Sequence, residues 1–383
     1  MGTGTYAFVR KIWRIAAAIE TGVVLLMLVV ILSALGTIVL QRPATRPDEM
    51  ERSYSPFVLR ILDLTRLTDV YHSWWFLGLL LLVSICIVAA SLDRLPSRWR
   101  YLARPYKYPE EGFRRTLHPQ RTVELAPEAG VSEQTAMAAA ERALTARGYR
   151  PQRVAQAGQT GLFAERNRLS QLAVYVVHLS LLLIFLGTMV DGLLGWRGIL
   201  TLHPGETASA VRLGDGAWRD LGFMLRSEGA GQEHYPDGTL KQVWTNVTLI
   251  EDGRAAGQSR ILINAPLVYR HVRIYQSHAG ANGEELEVAH QPGLWIVWIG
   301  VVVMGIGLLF VFYLVHVRMW VVPVRCAKTG KLSLWMGGSV NRHRDGFEPR
   351  FNELARSIEE ELKCTTATAP DKGVSTPEIR QAE

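Results

Sequence analysis

The sequence predicts a membrane protein with four transmembrane α-helices, an extracytoplasmic antiparallel β domain and a small cytoplasmic α/β unit. Three observations support this fold class: long apolar runs without charge, an uneven distribution of Lys and Arg around those runs, and alternating apolar patterns between turn signals. Of the 383 residues, 48% are hydrophobic and 20% are charged, and four runs hold nearly all of the apolar excess. A soluble globular protein and a fibrous protein are therefore excluded.

The four apolar runs cover residues 21–40, 71–92, 169–190 and 293–315, and none of them contains Lys, Arg, Asp or Glu. Each run reaches the roughly 20 residues that an α-helix needs to cross a bilayer. The first run is too long for a signal peptide, and no clean small-residue cleavage site follows it, so we expect it to remain as a span. Residues 1–92 thus predict an N-terminal tail followed by two spans.

The Lys and Arg residues near the ends of the runs indicate the orientation of the chain. The formal net charge is +7, and with the N-terminus inside, sixteen of these basic residues fall on the inner side and seven on the outer side. Cytoplasmic loops carry the excess of Lys and Arg in membrane proteins. We therefore expect both termini in the cytoplasm. We interpret the positive charge as a topology signal and expect no nucleic-acid partner.

Residues 93–168 form a loop that is too long for a simple connector, and they predict the cytoplasmic α/β unit. A strand, a helix and two further strands are predicted in this order: 121–125, 132–147, 149–154 and 161–164. Ser132 is a suitable N-cap for the helix, and Gly148 follows its last turn.

Residues 191–292 predict the extracytoplasmic β domain. Turn signals such as Pro236-Asp237-Gly238 separate short runs in which apolar and polar residues alternate. The runs predicted to be strands are 199–202, 221–225, 242–250, 259–263 and 268–275. Short strands at this spacing are typical of an antiparallel sandwich or barrel.

The chain after the fourth run predicts a small cytoplasmic element and a tail. Residues 316–362 contain two strand-like runs, 320–324 and 332–336, with a turn predicted at Thr329-Gly330 and a helix over 348–362. Residues 363–383 are polar, and we expect them to be a disordered tail.

The three cysteines are Cys86, Cys326 and Cys364, and none of them lies in the predicted outer domain. A structural disulfide is therefore not expected in that domain. The chain has no CxxCH motif and no paired-cysteine zinc spacing. These absences argue against a covalently attached haem and against a structural zinc site on this chain.

Two of the ten histidines have positions that suggest a function. His72 lies in the aromatic segment 71–76 at the outer end of the second run, and His178 lies near the middle of the third run. An ionisable side chain inside the hydrocarbon region is costly, so it is usually paired and often functional. Neutral imidazole is also a good axial ligand for haem iron.

Structural roles remain open for both histidines. The segment around His72 is also typical of an aromatic belt at the membrane–water interface. His178 is also suited to an interhelical hydrogen bond, with Ser170 or Ser180 as its partner. The histidines of the outer region show no metal-ligand spacing, and we interpret these as surface or turn residues: His203, His234, His271, His278 and His290. No nucleophile constellation is found, so no catalytic residue is predicted.

Several short motifs occur in a characteristic order along the chain. They are SALGT at 33–37, DVYHSWWF at 69–76, SLDRLP at 91–96, HLSLLL at 178–183, PGE at 204–206, NAPLVY at 264–269 and IYQS at 274–277. Together these motifs resemble the ResB (CcsB) family of system II cytochrome c biogenesis proteins. The resemblance covers about residues 14–362.

The resemblance implies a subunit of a cytochrome c synthase (haem lyase) complex in the bacterial plasma membrane, which is not catalytic alone. Family members act with a ResC (CcsA) partner, and the complex moves haem outward and presents it to the CxxCH motif of exported apocytochrome c. The tryptophan-rich haem motif of that partner is absent from this chain.

For this chain, the resemblance implies a non-covalent haem b that is shared with the partner subunit. His72 corresponds to the transmembrane haem ligand of the family, and His178 is the second candidate. Tyr71, Trp74 and Trp75 are expected to pack against the macrocycle. Two other functions remain open at this point: a haem-free scaffold that holds ResC and apocytochrome c together, and a sensor with an outer ligand domain and an inner α/β relay.

Overall fold

The computed structural model describes residues 2–45, 47–105, 107–124, 132–156, 158–280, 283–325, 332–342 and 344–367. The α-helices are α1 (Gly2–Ala16), α2 (Ile19–Ile38), α3 (Pro47–Ser53), α4 (Pro56–Leu64), α5 (Trp74–Ala103), α6 (Glu111–Thr116), α7 (Glu133–Ala146), α8 (Ala173–Leu194), α9 (Leu294–Tyr313) and α10 (Arg344–Ala367). The strands are β1 (Gln120–Glu124), β2 (Arg150–Gln156), β3 (Gln159–Arg166), β4 (Trp196–Leu202), β5 (Thr207–Leu213), β6 (Trp218–His234), β7 (Leu240–Glu251), β8 (Arg254–Leu262), β9 (Leu267–Tyr269), β10 (Val272–Gly280), β11 (Gly283–His290), β12 (Val317–Arg325) and β13 (Leu332–Val340). Short 3-10 helices cover Arg42–Ala44, Leu67–His72 and Arg168–Leu172.

Four helical stretches are long and apolar enough to cross a membrane: Ile19–Ile38, Trp74–Ala103, Arg168–Leu194 and Leu294–Tyr313. The prediction of four spans is therefore confirmed. The surface of these helices is largely apolar, and much of it is open in the isolated chain; Val24, for example, is 59% exposed. Such a surface needs lipid or another protein against it.

The chain divides into two compact units, Met1–Arg94 with Tyr175–Gly305, and Leu95–Val174 with Ile306–Glu383. In the first unit, glycines allow α8 and α9 to approach each other closely. A Cβ at Gly187 would lie 2.7 Å from Cγ2 of Val297, and a Cβ at Gly300 would lie 2.7 Å from Cγ1 of Ile184. Small residues at a helix crossing are a common basis of helix packing in membranes.

The β domain of the first unit is an eight-stranded antiparallel sheet with the strand order β8-β7-β6-β5-β4-β11-β10-β9. The sheet curls so that β10 also lies against β7 and β8, and its core includes Leu202, Leu225, Ile261, Ile274 and Leu286. The prediction of an antiparallel β domain is confirmed.

Local details of this sheet differ from the prediction. Strands β5 and β11 were not predicted; the apolar alternation shifts at Ala210-Val211 in β5 and is limited to Leu286-Glu287-Val288 in β11. The run 268–275, predicted as one strand, is divided into β9 and β10. Arg270 and His271 adopt left-handed backbone conformations there, with φ of 48° and 71°, and turn the chain between the two strands.

The second unit is a five-stranded sheet with the order β1-β13-β12-β3-β2. Strand β12 pairs antiparallel with β3. The segments 93–168 and 316–362, predicted as separate elements, therefore share one sheet. Helices α7 and α10 pack on this sheet through a core that includes Leu144, Met336 and Phe351. The pairing joins strands about 150 residues apart, so no local pattern in the sequence reveals it.

The boundaries of the second unit follow local signals. Ser132 caps α7, because its Oγ accepts a hydrogen bond from the Thr135 amide at 3.1 Å. Helix α10 begins before the predicted residue 348 and continues to Ala367. The predicted turn at Thr329-Gly330 and residues 368–383 of the predicted tail lie outside the described residues.

Candidate functional site

A cavity of about 270 Å³ lies in the first unit, where the β domain meets the helix ends. Residues just before α5, at the end of α8, on β4 and at the end of β11 contribute to its wall. Its ionisable and aromatic lining residues are Asp69, Tyr71, His72, Asp191, Trp196, Arg197 and His290. We call it the imidazole cavity, because two histidines that are far apart in the sequence line it.

His72 is held at this cavity by the chain that leads into α5. It is the last residue of the 3-10 helix Leu67–His72, and Ser73 follows as the cap of α5. The Ser73 hydroxyl donates to the Val70 carbonyl at 2.6 Å and accepts from the Phe76 amide at 3.3 Å. This reciprocal bonding fixes the backbone on both sides of His72.

Asp69 orients the His72 ring. The Nδ1 of His72 lies 2.6 Å from Oδ1 of Asp69. A carboxylate accepts hydrogen bonds, so Nδ1 carries the proton in the neutral ring and Nε2 keeps its lone pair. Nε2 has no hydrogen-bond partner among the residues that the structure describes. The pair has the carboxylate–imidazole arrangement that orients metal-binding histidines in proteins.

The segment that precedes His72 is anchored by an ion pair between Arg42 and Asp63, both of which are partly exposed. Arg42 donates from Nε to Oδ1 of Asp63 at 2.8 Å, and the Thr68 hydroxyl donates to the same oxygen at 2.7 Å. The hydrogen bond from Arg42 lowers the pKa of Asp63 below its ordinary value. The 3-10 helix is therefore tied to the chain that follows α2.

His290 enters the same cavity from the β domain. It is the last residue of β11, and its Nδ1 lies 2.9 Å from the carbonyl oxygen of His271. Its ring stacks on Trp196 with a centroid distance of 5.9 Å and an interplanar angle of 24°. As with His72, the hydrogen bond at Nδ1 leaves Nε2 with its lone pair.

The position of His290 differs from the predicted surface or turn role, because its side chain lines the cavity. One signal was available. His290 lies three residues before the fourth apolar run, and His72 lies near the start of the second. Alternating orientation of the spans puts both residues at the same face of the membrane.

A glycine at the end of α8 allows this helix to pack closely against the start of α5 at the cavity. Gly192 of α8 lines it, and a Cβ there would lie 2.6 Å from Cδ2 of Leu77 and 3.0 Å from the carbonyl oxygen of Tyr71. The Tyr71 hydroxyl in turn donates to the carbonyl of Ser33 at 3.2 Å. Tyr71 therefore joins α2 to the wall of the cavity.

The two tryptophans next to His72 do not line the cavity. Trp74 is 79% exposed on the surface of α5. The Nε1 of Trp75 donates to the carbonyl of Thr65 at 3.2 Å. Of the four residues predicted in the aromatic segment, the structure brings Tyr71 and His72 together at the cavity.

His178 is placed elsewhere. Its Nδ1 lies 2.8 Å from the hydroxyl of Ser91, which joins α8 to α5 within the first unit. This geometry fits the alternative role of His178, an interhelical hydrogen bond. The partner is neither Ser170 nor Ser180. The Ser180 hydroxyl instead donates to the Val177 carbonyl at 2.7 Å. Thr188, which lines the cavity, is ten residues further along α8, or about 15 Å along the helix axis.

The chemistry of the lining fits haem in part. Two imidazoles with Nε2 available are suitable ligands for haem iron. The Arg197 guanidinium at the cavity is 41% exposed and is already paired with Glu287 at 3.0 Å. The volume of about 270 Å³ is slightly below the roughly 300–1,000 Å³ of cavities that enclose a small ligand. The cavity thus fits one edge of the macrocycle rather than all of it.

Comparison with known proteins identifies the family. The model of the ResB-like family matches residues 19–285 and 282–352, which is most of the chain. The chain belongs to the ResB-like family. The matched regions include His72, His178 and the last residues of β11.

The relatives have low sequence identity to this chain. The cytochrome c biogenesis protein CcsB of Synechococcus sp. (strain JA-3-3Ab) is 27% identical over 300 residues, which cover 74% of this chain and 58% of that protein. The cytochrome c biogenesis protein Ccs1 of Pyropia yezoensis is 23% identical over 279 residues, covering 69% and 59% respectively. The chain therefore spans less than two thirds of the length of these relatives.

A solved structure with a weak likeness to this chain is a haem lyase. The cytochrome c haem lyase CcmF aligns with a TM-score of 0.31 and 13% identity, over 67% of this chain and 42% of that chain. This value is too low to indicate a common fold.

Proposed function

We propose that this chain takes part in cytochrome c maturation by holding haem non-covalently at the imidazole cavity, with His72 as an axial ligand of the iron. The observation that carries the proposal is the geometry of His72, whose Nδ1 is engaged by Asp69 at 2.6 Å while its Nε2 keeps a lone pair. Membership of the ResB-like family supports it, since relatives are named as cytochrome c biogenesis proteins.

The residues of the chain would hold and orient the cofactor rather than perform the attachment. When bound, haem supplies the iron and the vinyl groups that react with apocytochrome thiols. Asp69 keeps the His72 ring in one tautomer and increases the basicity of Nε2. His290 supplies a second imidazole at the same cavity, and Tyr71 supplies an aromatic wall.

A ResC (CcsA)-like partner would complete the site. Two observations support this part of the proposal. The cavity fits only one edge of a macrocycle, so a second surface is needed to cover the rest. Trp74 is 79% exposed next to His72, where it is accessible to the uncovered part of the haem or to the partner. Trp75 would support the aromatic surface around Trp74. Its ring makes an edge-on contact with Phe76, at a centroid distance of 6.2 Å.

The proposed orientation puts the β domain outside the bacterial plasma membrane and both termini in the cytoplasm. The excess of Lys and Arg on the inner side supports it. In this orientation the imidazole cavity lies at the outer membrane–water interface, next to the domain that would meet exported apocytochrome c.

The proposal is tested by purifying the chain together with its ResC-like partner and recording the Soret band and the pyridine haemochrome. We expect haem in the wild-type complex and a loss of most of it in His72→Ala. His234→Ala is the matched control, because His234 is an exposed histidine at the end of β6 that does not line the cavity. His178→Ala is expected to keep the haem, since its ring is hydrogen-bonded to Ser91.

Two outcomes would contradict the proposal. A wild-type complex without haem would favour the haem-free scaffold. A Soret band that is the same in His72→Ala and in the His234→Ala control would remove His72 from the ligand set.

A further inference from the structure

The second unit contains a larger cavity that has no part in the proposed haem site. Its volume is about 590 Å³, and it lies between β3, β12, α10 and the end of α9. Four arginines line it: Arg147, Arg166, Arg342 and Arg350. We call it the arginine cavity.

The arginine cavity has an excess of positive charge. Glu353 is the one carboxylate among its lining residues, and it lies 3.2 Å from Arg147. Arg342 donates from Nη1 to the carbonyl of Val311 at 2.8 Å, which holds its guanidinium at the last turn of α9. Arg166 and Arg350 have no carboxylate within ion-pair distance in the part of the chain that the structure describes. Among the described residues, a carboxylate pairs with one of the four arginines, so three guanidinium charges have no carboxylate partner there.

Tyr149 shows that these guanidiniums converge. Its side chain is half-buried on the wall of the cavity, and burial raises the pKa of its hydroxyl. The positive charges of Arg166, Arg350 and Arg147 act in the opposite direction on the same pKa. Three arginines from different elements are thus close enough to Tyr149 to influence one hydroxyl group.

The remaining wall is apolar and belongs to the end of a membrane span. Phe312 and Tyr313, the last two residues of α9, line the cavity and are 63% and 78% exposed. Further along the same helix, Leu309 is 57% exposed. At the end of a span, the hydrocarbon of the bilayer gives way to the phosphate headgroups. The cavity therefore places a cluster of guanidiniums next to apolar surface at the level of the headgroups.

We propose that the arginine cavity binds the phosphate headgroup of an anionic phospholipid, whose acyl chains lie along the exposed apolar surface of α9. Guanidinium groups bind phosphate through paired, charge-assisted hydrogen bonds. Basic pockets at the ends of membrane helices are known sites for anionic headgroups. The exposed aromatic residues of α9 explain why a lipid, rather than a water-soluble phosphate, matches this site.

The test uses native mass spectrometry of the full purified chain in detergent, with phosphatidylglycerol or phosphatidylcholine added. We expect one phosphatidylglycerol to be retained about tenfold more strongly than phosphatidylcholine. The double variant R166Q/R350Q is expected to lose this preference. The control R115Q/R153Q removes the same charge from exposed ion pairs with Glu111 and Glu141, and it is expected to keep the preference.

Two further measurements distinguish lost phosphate binding from misfolding, and a bound lipid from bound inorganic phosphate. R166K/R350K keeps the charge but loses the paired geometry, and an intermediate retention is expected if guanidinium–phosphate bonding is responsible. Inorganic phosphate at millimolar concentration is expected to compete only weakly. Equal retention of the two lipids, full retention in R166Q/R350Q, or complete displacement by inorganic phosphate would overturn the proposal.

Discussion

The two cavities differ in how their polar groups are arranged, although each lies next to the end of an apolar helix. In the imidazole cavity, both histidines are engaged at Nδ1, by Asp69 and by the His271 carbonyl, so each ring has one fixed orientation and one available lone pair. In the arginine cavity, Arg166 and Arg350 lack a carboxylate partner in the described part of the chain. The first arrangement suits an electron-pair acceptor such as iron, and the second suits an anion.

The two cavities also differ in the structure that supports them. The arginine cavity is built on a packed core of sheet and helix, in which Phe351 is 1% exposed. The imidazole cavity is built where helix ends and short 3-10 segments meet, and glycines such as Gly192 permit the contacts. The variants below test these two kinds of support, from the largest expected effect to the smallest.

Phe351→Ala should have the largest effect on stability. Phe351 packs beside Phe347, a lining residue of the arginine cavity, with a centroid distance of 6.0 Å. Truncating a buried phenylalanine costs about 3–5 kcal/mol of the free energy of unfolding. Thermal unfolding of the purified chain should show a lower midpoint. Phe312→Ala, at an exposed position, is the control, and an equal loss in both variants would contradict a packed core beneath the cavity.

Gly192→Ala should affect the imidazole cavity. The added methyl group would lie 2.6 Å from Cδ2 of Leu77 and 3.0 Å from the carbonyl oxygen of Tyr71, so the Leu77 side chain must shift and the contact with Tyr71 becomes tight. Overpacking of this kind costs about 1–3 kcal/mol of the free energy of unfolding. The haem content of the complex should also fall, because the wall of the cavity is displaced. Gly22→Ala is the matched control, because a Cβ at Gly22 meets nothing within 4 Å. Unchanged haem content in Gly192→Ala would show that the close packing of α8 against the start of α5 does not position His72.

Asp69→Asn should weaken haem binding without removing the ligand. The amide retains the shape of the side chain but loses the negative charge that supports His72. Loss of such a partner costs about 10–100-fold in metal affinity in proteins. Haem titration of the apo complex measures this affinity. A wild-type affinity in Asp69→Asn would mean that His72 does not bind iron through a ring oriented by Asp69.

The smallest expected effect is a pH dependence in the second unit. His316 is 3% exposed, and burial lowers its pKa, although Glu165 at 3.4 Å acts in the opposite direction. The neutral ring is therefore favoured in the folded state. As the pH falls below about 6.5, the unfolded chain binds a proton that the folded chain does not, so the free energy of unfolding decreases.

His316→Gln removes this titration while keeping a polar side chain beside Gln171 and Glu165. The difference in unfolding midpoint between about pH 7.5 and about pH 5.5 should be smaller in this variant than in the wild type. An identical pH dependence in both proteins would exclude His316 as its source.

The sequence predicted what depends on local pattern and missed what depends on distant pairing. Uncharged runs predicted the four apolar helices, since composition alone decides whether a helix can face lipid. The pairing of β12 with β3 and the common cavity lined by His290 and His72 involve residues far apart in the chain. For the same reason, the partner of His178 was Ser91 of another helix rather than a serine nearby in the sequence.

The central claim, that His72 binds haem iron through Nε2, is tested most directly by chemical rescue. His72→Gly removes the imidazole and leaves space for a free imidazole molecule, and His234→Gly is the control. We predict that the purified His72→Gly complex lacks the low-spin haem spectrum and regains it when imidazole is added, whereas His234→Gly has the wild-type spectrum throughout. A wild-type spectrum in His72→Gly without imidazole would contradict the account.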